Sequence, residues 1–372
     1  MKIALIHDFL TKIGGAEKVF LEIIKLYPDA QIFTLVYDEE GTKGLFRGKN
    51  IITSDLQNKP MFLRKRPKLM FASLAKAIEE FDLSTYDLVI SDSNSFAHGV
   101  ITRPETPHIC YCYSPMRYAW DWSAEYAKEN HIGFGLLGLY IRKKIYDLRQ
   151  WDFYAAERVD LWIAISKNVQ KRIRKYYRKE SLVIYPPVDV ERFKLDKENR
   201  EEYFLVVSRL SPYKKIDTVV KAFNQLGQSL KIVGEGADLN KLEGIAKDNI
   251  EFLGWQNDTM VAKLMANAKG LIFPGEEDFG LTPVEAMSCG TPVIGLNRGG
   301  TTETIIEKES GIFYDGSVED LVDKVNSFNN VKWDLDFLRR HAEKFSTERF
   351  AKEFTETVDK FYKSYSNGRR NS

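Results

Sequence analysis

"GLIFPGEEDFGLTPVEAMSCG", residues 270–290, reads as a strand, a loop and a helix in direct succession. The apolar run GLIFPG predicts a buried strand, and the residues after it predict a helix that starts near Pro283 and stops at Gly290. Units of this kind recur through most of the chain. Short β-branched runs that alternate with helical patterns are typical of parallel sheets covered on both faces, so the sequence predicts an α/β fold.

Two series of predicted strands divide the chain into two doubly wound domains. The first series comprises residues 2–8, 31–37, 87–93, 108–113, 161–166 and 182–187, and the second comprises residues 203–210, 230–236, 250–255, 270–275, 292–297 and 311–315. Two prolines and a charged stretch separate the series, which places the boundary near residue 188. We therefore predict a first domain over residues 1–188, a second over 189–345, and a C-terminal amphipathic helix and tail over 346–372.

The composition of the 372-residue chain narrows the possible functions. With 54 basic and 53 acidic residues, net charge gives no reason to expect nucleic-acid binding. The three cysteines, Cys110, Cys112 and Cys289, suggest neither a disulfide framework nor a metal-ligand set, and they favour a reducing cytoplasm. The apolar part of MKIALIHD is too short for a signal peptide, and no run of about 18 apolar residues predicts a membrane-spanning helix. Any contact with a membrane is therefore expected to be peripheral, through the protein surface.

Residues that follow the predicted strands are the candidates for chemistry, because ligands of doubly wound sheets bind beyond the carboxyl ends of the strands. Gly14 and Gly15 open a helix whose N–H groups suit a phosphate, although a flexible loop before a helix would leave the same pattern. Arg209 and Lys214 lie at a strand end and a helix start, where they could clamp a diphosphate or could simply be solvated. Gly234 marks a tight turn that could bring the backbone close to a ligand.

A further strand end carries Trp255 and Gln256, in FLGWQNDTM. The indole could form the wall of a base pocket, or it could belong to the core. The next helix is predicted to be capped by Asn257 or Asp258.

Two glutamates flank the predicted helix start in the opening stretch. If the helix starts near Pro283, Glu277 lies in the loop and Glu285 lies in the first turn. Carboxylates accept hydrogen bonds from hydroxyls, and free N–H groups at a helix start bind phosphate, so a ligand rich in hydroxyls with a diphosphate in its middle would use both. The N–H groups between the glutamates belong to Phe279, Gly280, Leu281 and Thr282.

Together these motifs resemble the retaining glycosyltransferases of family four, which have the GT-B fold. The resemblance rests on the E-x7-E spacing of Glu277 and Glu285, the R-x4-K spacing of Arg209 and Lys214, the early Gly-Gly pair and the FLGW strand end, in order along essentially the whole chain. The segment CYCYSPMRYAWDW, residues 110–122, is further similar to bacterial mannosyltransferases of O-antigen and exopolysaccharide synthesis. This resemblance implies two Rossmann-like domains that face each other across a cleft, with the C-terminal helix returning to the first domain.

The resemblance also implies roles for individual residues. Glu277 would bind the hydroxyls of the donor sugar near the reacting carbon, and Glu285 would bind the ribose. Arg209 and Lys214 would neutralise the leaving diphosphate, while Gly15 would approach it from the first domain. The implied catalytic residues are thus Glu277, Arg209 and Lys214. The implied donor-binding residues are Gly14, Gly15, Gly234, Trp255, Gln256, Phe279, Gly280, Leu281, Thr282 and Glu285.

The acceptor side departs from the family pattern at one position. Many relatives carry a histidine at the end of the strand that here reads HICYCYSP, and Tyr113 occupies that place. His98 could face the cleft, or it could be a satisfied structural histidine. Asp8 and Arg117 complete the candidates for the acceptor side.

The function implied is transfer of a sugar, with retention of configuration, to a glycan acceptor in cell-surface polysaccharide synthesis. The mannosyltransferase-like segment favours GDP-mannose as the donor substrate, with a UDP-sugar second, and no cofactor is expected. Metal independence is expected, since SDSNS gives D-x-N rather than D-x-D. A nucleotide-sugar 2-epimerase of the same fold and a non-catalytic nucleotide-sugar-binding module are the alternatives.

Two segments of the first domain combine basic and apolar residues, namely residues 58–72 and 133–149. Such segments suit docking on an anionic bilayer, which would fit a lipid-linked acceptor on the cytoplasmic face of the plasma membrane. Buried helix faces with solvated basic edges would give the same pattern.

Overall fold

The computed structural model describes residues 1–60, 64, 71–129, 132, 133, 135–195 and 200–370. The chain divides into two compact units: unit 1 contains Met1–Tyr185 and Ala351–Ser372, and unit 2 contains Pro186–Phe350. The division thus falls between Tyr185 and Pro186, where the sequence placed it near residue 188. The C-terminal segment joins unit 1 instead of forming a part of its own.

Unit 1 is built on a seven-stranded sheet of order β3-β2-β1-β4-β5-β6-β7, in which neighbouring strands run parallel. The strands are β1 Ile3–His7, β2 Gln31–Thr34, β3 Ile51–Thr53, β4 Leu88–Ser93, β5 His108–Cys112, β6 Leu161–Ala164 and β7 Leu182–Val183. The six predicted strands of this series are confirmed with shorter bounds. The sequence did not predict β3, because its three partly exposed residues give neither an apolar run nor an alternation.

The helices of unit 1 cover a sheet whose central strands β1, β4 and β5 are buried along their whole length. These helices are α1 Gly15–Leu26, α2 Phe71–Glu79, α3 Ser123–Glu129, α4 Leu136–Ala156 and α5 Lys167–Tyr176. Continuous burial on both faces explains why these strands read as near-continuous apolar runs.

Unit 2 has a six-stranded parallel sheet of order β10-β9-β8-β11-β12-β13. The strands are β8 Tyr203–Val207, β9 Ser229–Val233, β10 Ile250–Gly254, β11 Gly270–Phe273, β12 Val293–Leu296 and β13 Gly311–Tyr314. The helices are α6 Ile216–Leu226, α7 Leu239–Glu243, α8 Asp258–Asn267, α9 Leu281–Ser288, α10 Thr301–Thr304, α11 Val318–Phe328, α12 Leu335–Glu343 and α13 Thr347–Arg370. All six predicted strands of the second series are confirmed, and so are two doubly wound α/β units.

The last helix, α13, starts in unit 2 and belongs to unit 1 from Ala351 onwards. Its Phe354 is fully buried and packs edge-on against Tyr27 and Tyr111, with ring centroids 6.5 and 5.7 Å apart. Aromatic contacts of this kind fix the end of the chain on unit 1.

The strand order determines where a ligand can bind in each unit. In unit 1 the order reverses between β1 and β4, and in unit 2 it reverses between β8 and β11. At such a switch point the connections leave in opposite directions and open a crevice beyond the carboxyl ends of the strands. Side chains that follow these four strands are therefore the first to consider.

Candidate functional site

The switch point of unit 2 brings Lys214 and Glu277 together. Lys214 follows β8 and Glu277 follows β11, and the Lys214 ammonium pairs directly with Glu277 Oε1. The two side chains are 17% and 28% exposed, so the pair lies at the surface of the unit and is partly solvated. The sequence analysis assigned Lys214 to the diphosphate and Glu277 to the sugar hydroxyls. The structure shows that the two side chains also contact each other.

Backbone geometry after β8 positions Lys214. Residues Pro212–Lys214 form a 3-10 turn, and Lys215 then adopts a left-handed conformation, with φ of 56°, before α6 begins. Arg209 lies in the same connection, and its side chain is exposed. Both basic groups of the predicted clamp therefore lie beyond the carboxyl end of β8.

Gly234 holds this connection in place by a close backbone approach. A Cβ on Gly234 would lie 1.9 Å from Ser208 O, and its φ of +136° also disfavours other residues. A Cβ on Gly236 would lie equally close to Leu210 O. The glycines after β9 thus fit against the backbone on both sides of Arg209, which is a structural reason for their presence beside any contact with a ligand.

The loop that carries Glu277 is fixed from several sides. The Gly300 N–H donates to Glu277 O at 2.8 Å, and the buried Tyr314 hydroxyl donates to Pro274 O at 3.2 Å. Phe279 is buried against Phe345, with ring centroids 5.6 Å apart. Its side chain belongs to the core, so only its backbone could serve a ligand.

Gly299 and Gly300 are residues of this site that sequence reasoning missed. A Cβ on Gly299 would lie 2.4 Å from Glu277 O, and a Cβ on Gly300 would lie 2.3 Å from Phe279 Cα. Only a chain without side chains at these positions can lie against the glutamate loop. The signal was the Gly-Gly pair after the strand PVIGLN, which is the same kind of feature as Gly14-Gly15.

The start of α9 corrects the prediction for Glu285. The helix begins at Leu281 after Gly280, whose φ is +84°, so Pro283 is the third helical residue instead of the first. Glu285 accordingly lies in the second turn, and it is half-buried. The N–H groups of Leu281 and Thr282 belong to the first turn and have no carbonyl four residues earlier within the helix. Pro283 contributes no N–H group.

The two candidates for the base pocket after β10 differ in their surroundings. The Trp255 side chain is 57% exposed, so packing in the core does not explain this residue. Gln256 instead donates its amide to Leu253 O at 2.7 Å, which uses the group within its own turn. Asn257 caps α8, since its side chain accepts from the Met260 N–H at 2.9 Å.

In unit 1, the start of α1 differs from the predicted phosphate site. The Gly14 N–H donates to Glu17 Oε2 at 2.7 Å, so a carboxylate of the helix itself occupies the position expected for a phosphate. Such a capping contact satisfies the helix start and places negative charge at its positive end. Gly14 therefore cannot offer this N–H group to a diphosphate without displacing Glu17.

His7 and Asp92 form a buried ion pair at the switch point of unit 1. His7 ends β1, Asp92 lies near the end of β4, and His7 Nδ1 lies 2.6 Å from Asp92 Oδ1. His7 Nε2 faces Glu17 Oε1 at 4.0 Å, and the imidazole stacks on Phe20 at 4.6 Å. Sequence reasoning did not assign either member of this pair to the site.

Burial and two carboxylates oppose each other in setting the charge of His7. Burial alone lowers the pKa of the imidazole, but Asp92 and Glu17 outweigh it and raise the pKa to about 10. Burial raises the pKa of Asp92 to about 6, against the opposing effect of His7. The pKa of Glu17 is lowered, because its contact with His7 outweighs the effect of burial. At neutral pH the network therefore holds one imidazolium between two carboxylates.

Tyr113, the residue that follows β5, supports this network. Its hydroxyl lies 2.7 Å from Asp92 Oδ2 and 3.0 Å from Ala16 O, and the side chain is buried. Burial and the neighbouring Asp92 raise the pKa of the phenol, so the hydroxyl remains protonated. The tyrosine that stands in place of a family histidine is thus a hydrogen-bond partner of Asp92.

Asp8 and His98 are buried in unit 1 and contact groups of the same unit. The Asp8 carboxylate accepts from the N–H groups of Asn94, Phe96 and Ala97 at 2.6–2.7 Å, which holds the loop after β4. His98 is 2% exposed, and its Nδ1 and Nε2 lie 3.1 Å from Ser93 Oγ and 3.2 Å from Asp152 Oδ1. Among the described residues, His98 Nε2 has no partner that meets hydrogen-bond geometry, so neither assignment of His98 is decided by these contacts, and its role on the acceptor side stays a prediction. The rings of Trp151, Trp162 and Tyr177 surround the imidazole.

Arg117 remains near the surface of unit 1. Its Nε lies 3.7 Å from Asp121 Oδ2, and its guanidinium lies over the Trp122 ring at 5.6 Å. The side chain is 27% exposed. Arg172 shares Asp121 with it, at 3.3 Å.

Two family models match consecutive parts of the chain. Residues 13–192 match the model described as Glycosyltransferase Family 4, and residues 187–345 match the model described as Glycosyl transferases group 1. The chain belongs to the glycosyltransferases. Two consecutive family domains, one for each series of strands, confirm the resemblance stated from the motifs.

Similar proteins support the same family and fold. The chain is 27% identical over 201 residues to the O-antigen chain mannosyltransferase RfbU of Salmonella typhimurium, covering 48% of this chain and 57% of that protein. It is 23% identical over 247 residues to the alpha-1,3/1,6-mannosyltransferase ALG2 of Dictyostelium discoideum, covering 52% and 59%. The chain thus spans little more than half the length of these curated relatives. The solved structure of Anabaena HepE in complex with UDP has a TM-score of 0.72 at 20% identity and covers 97% of this chain and 100% of that one, which confirms the GT-B fold.

The predicted membrane-facing segments of this glycosyltransferase are described in part. In α4, Leu136 is 91% exposed, and Leu139 and Tyr140 are more than half exposed. A buried helix face, which was the alternative to a membrane-facing segment, therefore does not describe these residues. Lys143 is exposed on the same helix. In the segment 58–72, residues 61–63 and 65–70 lie outside the described residues. No helix in the described part of the chain is long and apolar enough to cross a membrane.

A metal site is not found in the described ranges. Among those residues, no group of three or more His, Cys, Asp or Glu side chains is arranged to hold a metal ion. His7, Asp92 and Glu17 come close together, but the two carboxylates raise the pKa of His7 so that the imidazole keeps its second proton, and an imidazolium is not a metal ligand.

Proposed function

We propose that this chain transfers a mannosyl residue from GDP-mannose to a glycan acceptor, with retention of anomeric configuration. The observation that carries the proposal is the Lys214–Glu277 pair at the switch point of unit 2. It places an ammonium and a carboxylate side by side, beyond the carboxyl ends of β8 and β11. A nucleotide-diphosphate sugar needs both groups, since its phosphates are anionic and its sugar carries hydroxyls.

The residues around this pair suit different chemical groups of the donor. Lys214 and Arg209 neutralise the diphosphate as it leaves, and the first-turn N–H groups of α9 add partial positive charge. Glu277 accepts hydrogen bonds from the sugar hydroxyls, and Glu285 accepts them from the ribose. Stabilisation of a leaving group by fixed charges needs no divalent ion, so activity is expected to persist in EDTA.

The choice of donor base is supported by the relatives and by the exposed Trp255. The relatives RfbU and ALG2 are named as mannosyltransferases, which favours GDP-mannose. The Anabaena structure was solved with UDP, which keeps a UDP-sugar as the second choice. The exposed Trp255 provides a stacking surface that would serve either base. Thermal-shift measurements with GDP, UDP and ADP distinguish the donors, and stabilisation by UDP alone would overturn the choice of GDP-mannose.

The acceptor side of the proposal is a lipid-linked glycan on the cytoplasmic face of the plasma membrane. Its support is α4, where the exposed side chains of Leu136, Leu139 and Tyr140 adjoin Lys143. Apolar side chains next to a cation suit the headgroup region of an anionic bilayer. Flotation with phosphatidylglycerol vesicles should carry the protein upwards, and Leu139→Ser with Tyr140→Ser should reduce this. Absence of flotation with phosphatidylglycerol vesicles would contradict the membrane contact, and equal flotation with phosphatidylcholine vesicles would contradict the role of the anionic headgroup.

Transfer itself is tested with GDP-mannose and a panel of octyl glycosides as acceptors. We expect Glu277→Ala to lower turnover by roughly 100-fold or more while the melting temperature changes little, because the glutamate loop keeps its backbone contacts. Glu276→Ala is the matched control and should retain activity. Turnover by Glu277→Ala equal to that of the control would overturn the assignment.

The same assay separates the alternatives. A 2-epimerase would convert the nucleotide sugar without an acceptor, whereas a binding module would bind GDP and turn over nothing. Release of GDP that depends on the octyl glycoside is the result expected for a transferase.

A further inference from the structure

We propose that a cavity beyond the carboxyl ends of β1 and β2 binds one neutral sugar ring of the acceptor glycan. The inference rests on the proposed function, because it places part of the acceptor on unit 1. The cavity has a volume of about 270 Å³ and belongs to unit 1 alone. Among the described residues, its lining consists of Thr11, Val36, Tyr37, Asp38, Glu39, Glu40 and Arg64.

The position of the cavity is that of a ligand site. Thr11 lies in the loop that follows β1, and Tyr37 and Asp38 lie in the loop that follows β2. Ligands of doubly wound sheets bind beyond this edge of the sheet. The sequence analysis assigned none of these residues to the donor or the acceptor, and it placed Arg64 only in the segment 58–72 that was predicted to face a membrane.

Contacts between the two loops fix the backbone of the cavity. The Leu10 N–H donates to Val36 O at 3.0 Å, and the Asp38 N–H donates to Leu10 O at 2.8 Å. The Gln57 side chain holds both backbone groups of Tyr37, at 3.0 and 2.9 Å. The cavity is therefore built on a backbone that needs no ligand to hold it.

Two polar groups of the lining await a partner. Within the described part of the chain, the Tyr37 hydroxyl and Arg64 Nε are shut off from solvent and have no hydrogen-bond partner. Thr42 lies beside the phenol, but its hydroxyl donates to Asp38 O at 2.8 Å and does not meet hydrogen-bond geometry with Tyr37. Unsatisfied buried polar groups are costly, so they are normally satisfied by water or by a ligand. The cavity is far larger than the roughly 10–15 Å³ that one buried water needs, which leaves room for a ligand.

The chemistry of the lining matches the hydroxyl groups of a sugar. Neighbouring hydroxyls of a sugar ring both donate and accept hydrogen bonds, so they need acceptors and donors side by side. Three carboxylates line the cavity, those of Asp38, Glu39 and Glu40. They accept hydrogen bonds, and the Arg64 guanidinium donates them. Burial and the nearby Glu39 carboxylate raise the pKa of Tyr37, so its hydroxyl also remains a donor.

The same lining disfavours other small ligands. Even with Glu39 paired to Arg47, two carboxylates of the lining face one guanidinium, which opposes a phosphate or an anionic sugar. A divalent cation is not favoured either, since no cluster of three or more His, Cys, Asp or Glu in the described ranges is arranged to hold a metal ion. A neutral ligand with several hydroxyls fits best.

Tyr37→Phe tests the inference, because it removes a hydroxyl that has no partner in the described structure. Binding of the methyl glycosides of glucose, galactose, mannose and N-acetylglucosamine is measured by saturation-transfer NMR at saturating GDP. For the glycoside that the wild type binds best, the dissociation constant should rise roughly 2- to 10-fold, as for loss of one neutral hydrogen bond. The KM for the octyl glycoside of the same sugar should rise by the same factor. The dissociation constant for GDP should stay unchanged.

Tyr27→Phe is the matched control. The Tyr27 hydroxyl is likewise shut off from solvent and has no hydrogen-bond partner among the residues that the structure describes. Tyr27 follows the end of α1, however, and packs against Phe354 at the opposite edge of the sheet, because α1 returns the chain from the end of β1 to the start of β2. This variant should bind the glycoside as the wild type does.

Asp38→Asn provides a second variant. The asparagine carbonyl can still accept the Gly41 N–H, which donates to Asp38 Oδ1 at 3.1 Å, while the negative charge is lost. The dissociation constant of the same glycoside should rise roughly 10- to 100-fold, as for loss of a hydrogen bond to a charged group. Asp29→Asn, in the exposed turn before β2, removes an equal charge and should change nothing.

The outcomes separate this inference from the function beneath it. A wild-type dissociation constant in Tyr37→Phe or in Asp38→Asn refutes the sugar site, and so does a wild type that binds none of the four glycosides. Tighter binding of methyl glucuronide than of methyl glucoside refutes the choice of a neutral ring. A chain that binds a glycoside here, yet transfers mannose to no acceptor, refutes the proposed function while the sugar site stands.

Discussion

Replacing Lys214 by Gln tests whether the Lys214–Glu277 pair serves chemistry or stability, because the two roles predict effects of different size. Both side chains are partly solvated, at 17% and 28% exposed. Ion pairs of this kind contribute about 1 kcal/mol or less to folding. Loss of about 1 kcal/mol lowers the melting temperature of a unit of this size by about 2–4 °C.

The catalytic role predicts a much larger effect on rate. Removing one group that stabilises developing charge costs about 100- to 1000-fold in turnover, or about 3–4 kcal/mol of activation free energy. Lys214→Gln also leaves Glu277 without its cation, which would strengthen repulsion of the donor phosphates. We therefore expect turnover to fall by roughly two to three orders of magnitude while the melting temperature falls by only a few degrees.

The assay measures GDP release at saturating octyl glycoside, together with thermal unfolding followed by circular dichroism. Lys221→Gln is the matched control, because Lys221 lies on α6, is 54% exposed and pairs with Asp217. It removes the same charge away from the switch point and should behave like the wild type. A fall in turnover of less than tenfold, with a drop in melting temperature clearly larger than that of the control, would show that the pair is a structural contact.

Three further predictions concern the backbone, the base and the buried network. Gly234→Ala should destabilise unit 2 by about 2–4 kcal/mol in urea unfolding, since its Cβ would lie 1.9 Å from the Ser208 carbonyl oxygen. The control is Gly254→Ala, which is also at positive φ but has no atom within 4 Å of the added Cβ. It should cost about 1 kcal/mol. Trp255→Ala should raise the dissociation constant for GDP roughly tenfold by titration calorimetry, because the base loses its stacking surface. His7 has a pKa raised from 6.5 to about 10, so its stabilising effect is fully present below pH 6.5 and is lost as the pH rises through 10. The difference in unfolding free energy between wild type and His7→Gln should shrink over that range, and a constant difference would contradict the assignment of charge.

The sequence predicted the strands well because the central strands of both sheets are buried on both faces. Burial leaves short apolar runs such as GLIFPG, and the polar residues that end each run mark the carboxyl edge of the sheet. It predicted the start of α9 less well. Proline is common at the first helical position, but Pro283 occupies the third, and the start is set by the positive φ of Gly280, which sequence alone does not reveal.

The network in unit 1 was missed for a different reason, which concerns strand order. His7 and Asp92 are 85 residues apart, and each looks unremarkable beside its own neighbours. They meet only because β4 pairs with β1, with Asp92 in register with His7. In unit 2 the spacing of familiar motifs identified Lys214 and Glu277 before their contact was known, whereas no such motif marks His7 and Asp92. Once the strand order is known, however, one physical rule finds both pairs, because in each unit the charged side chains meet where the order of the parallel strands reverses.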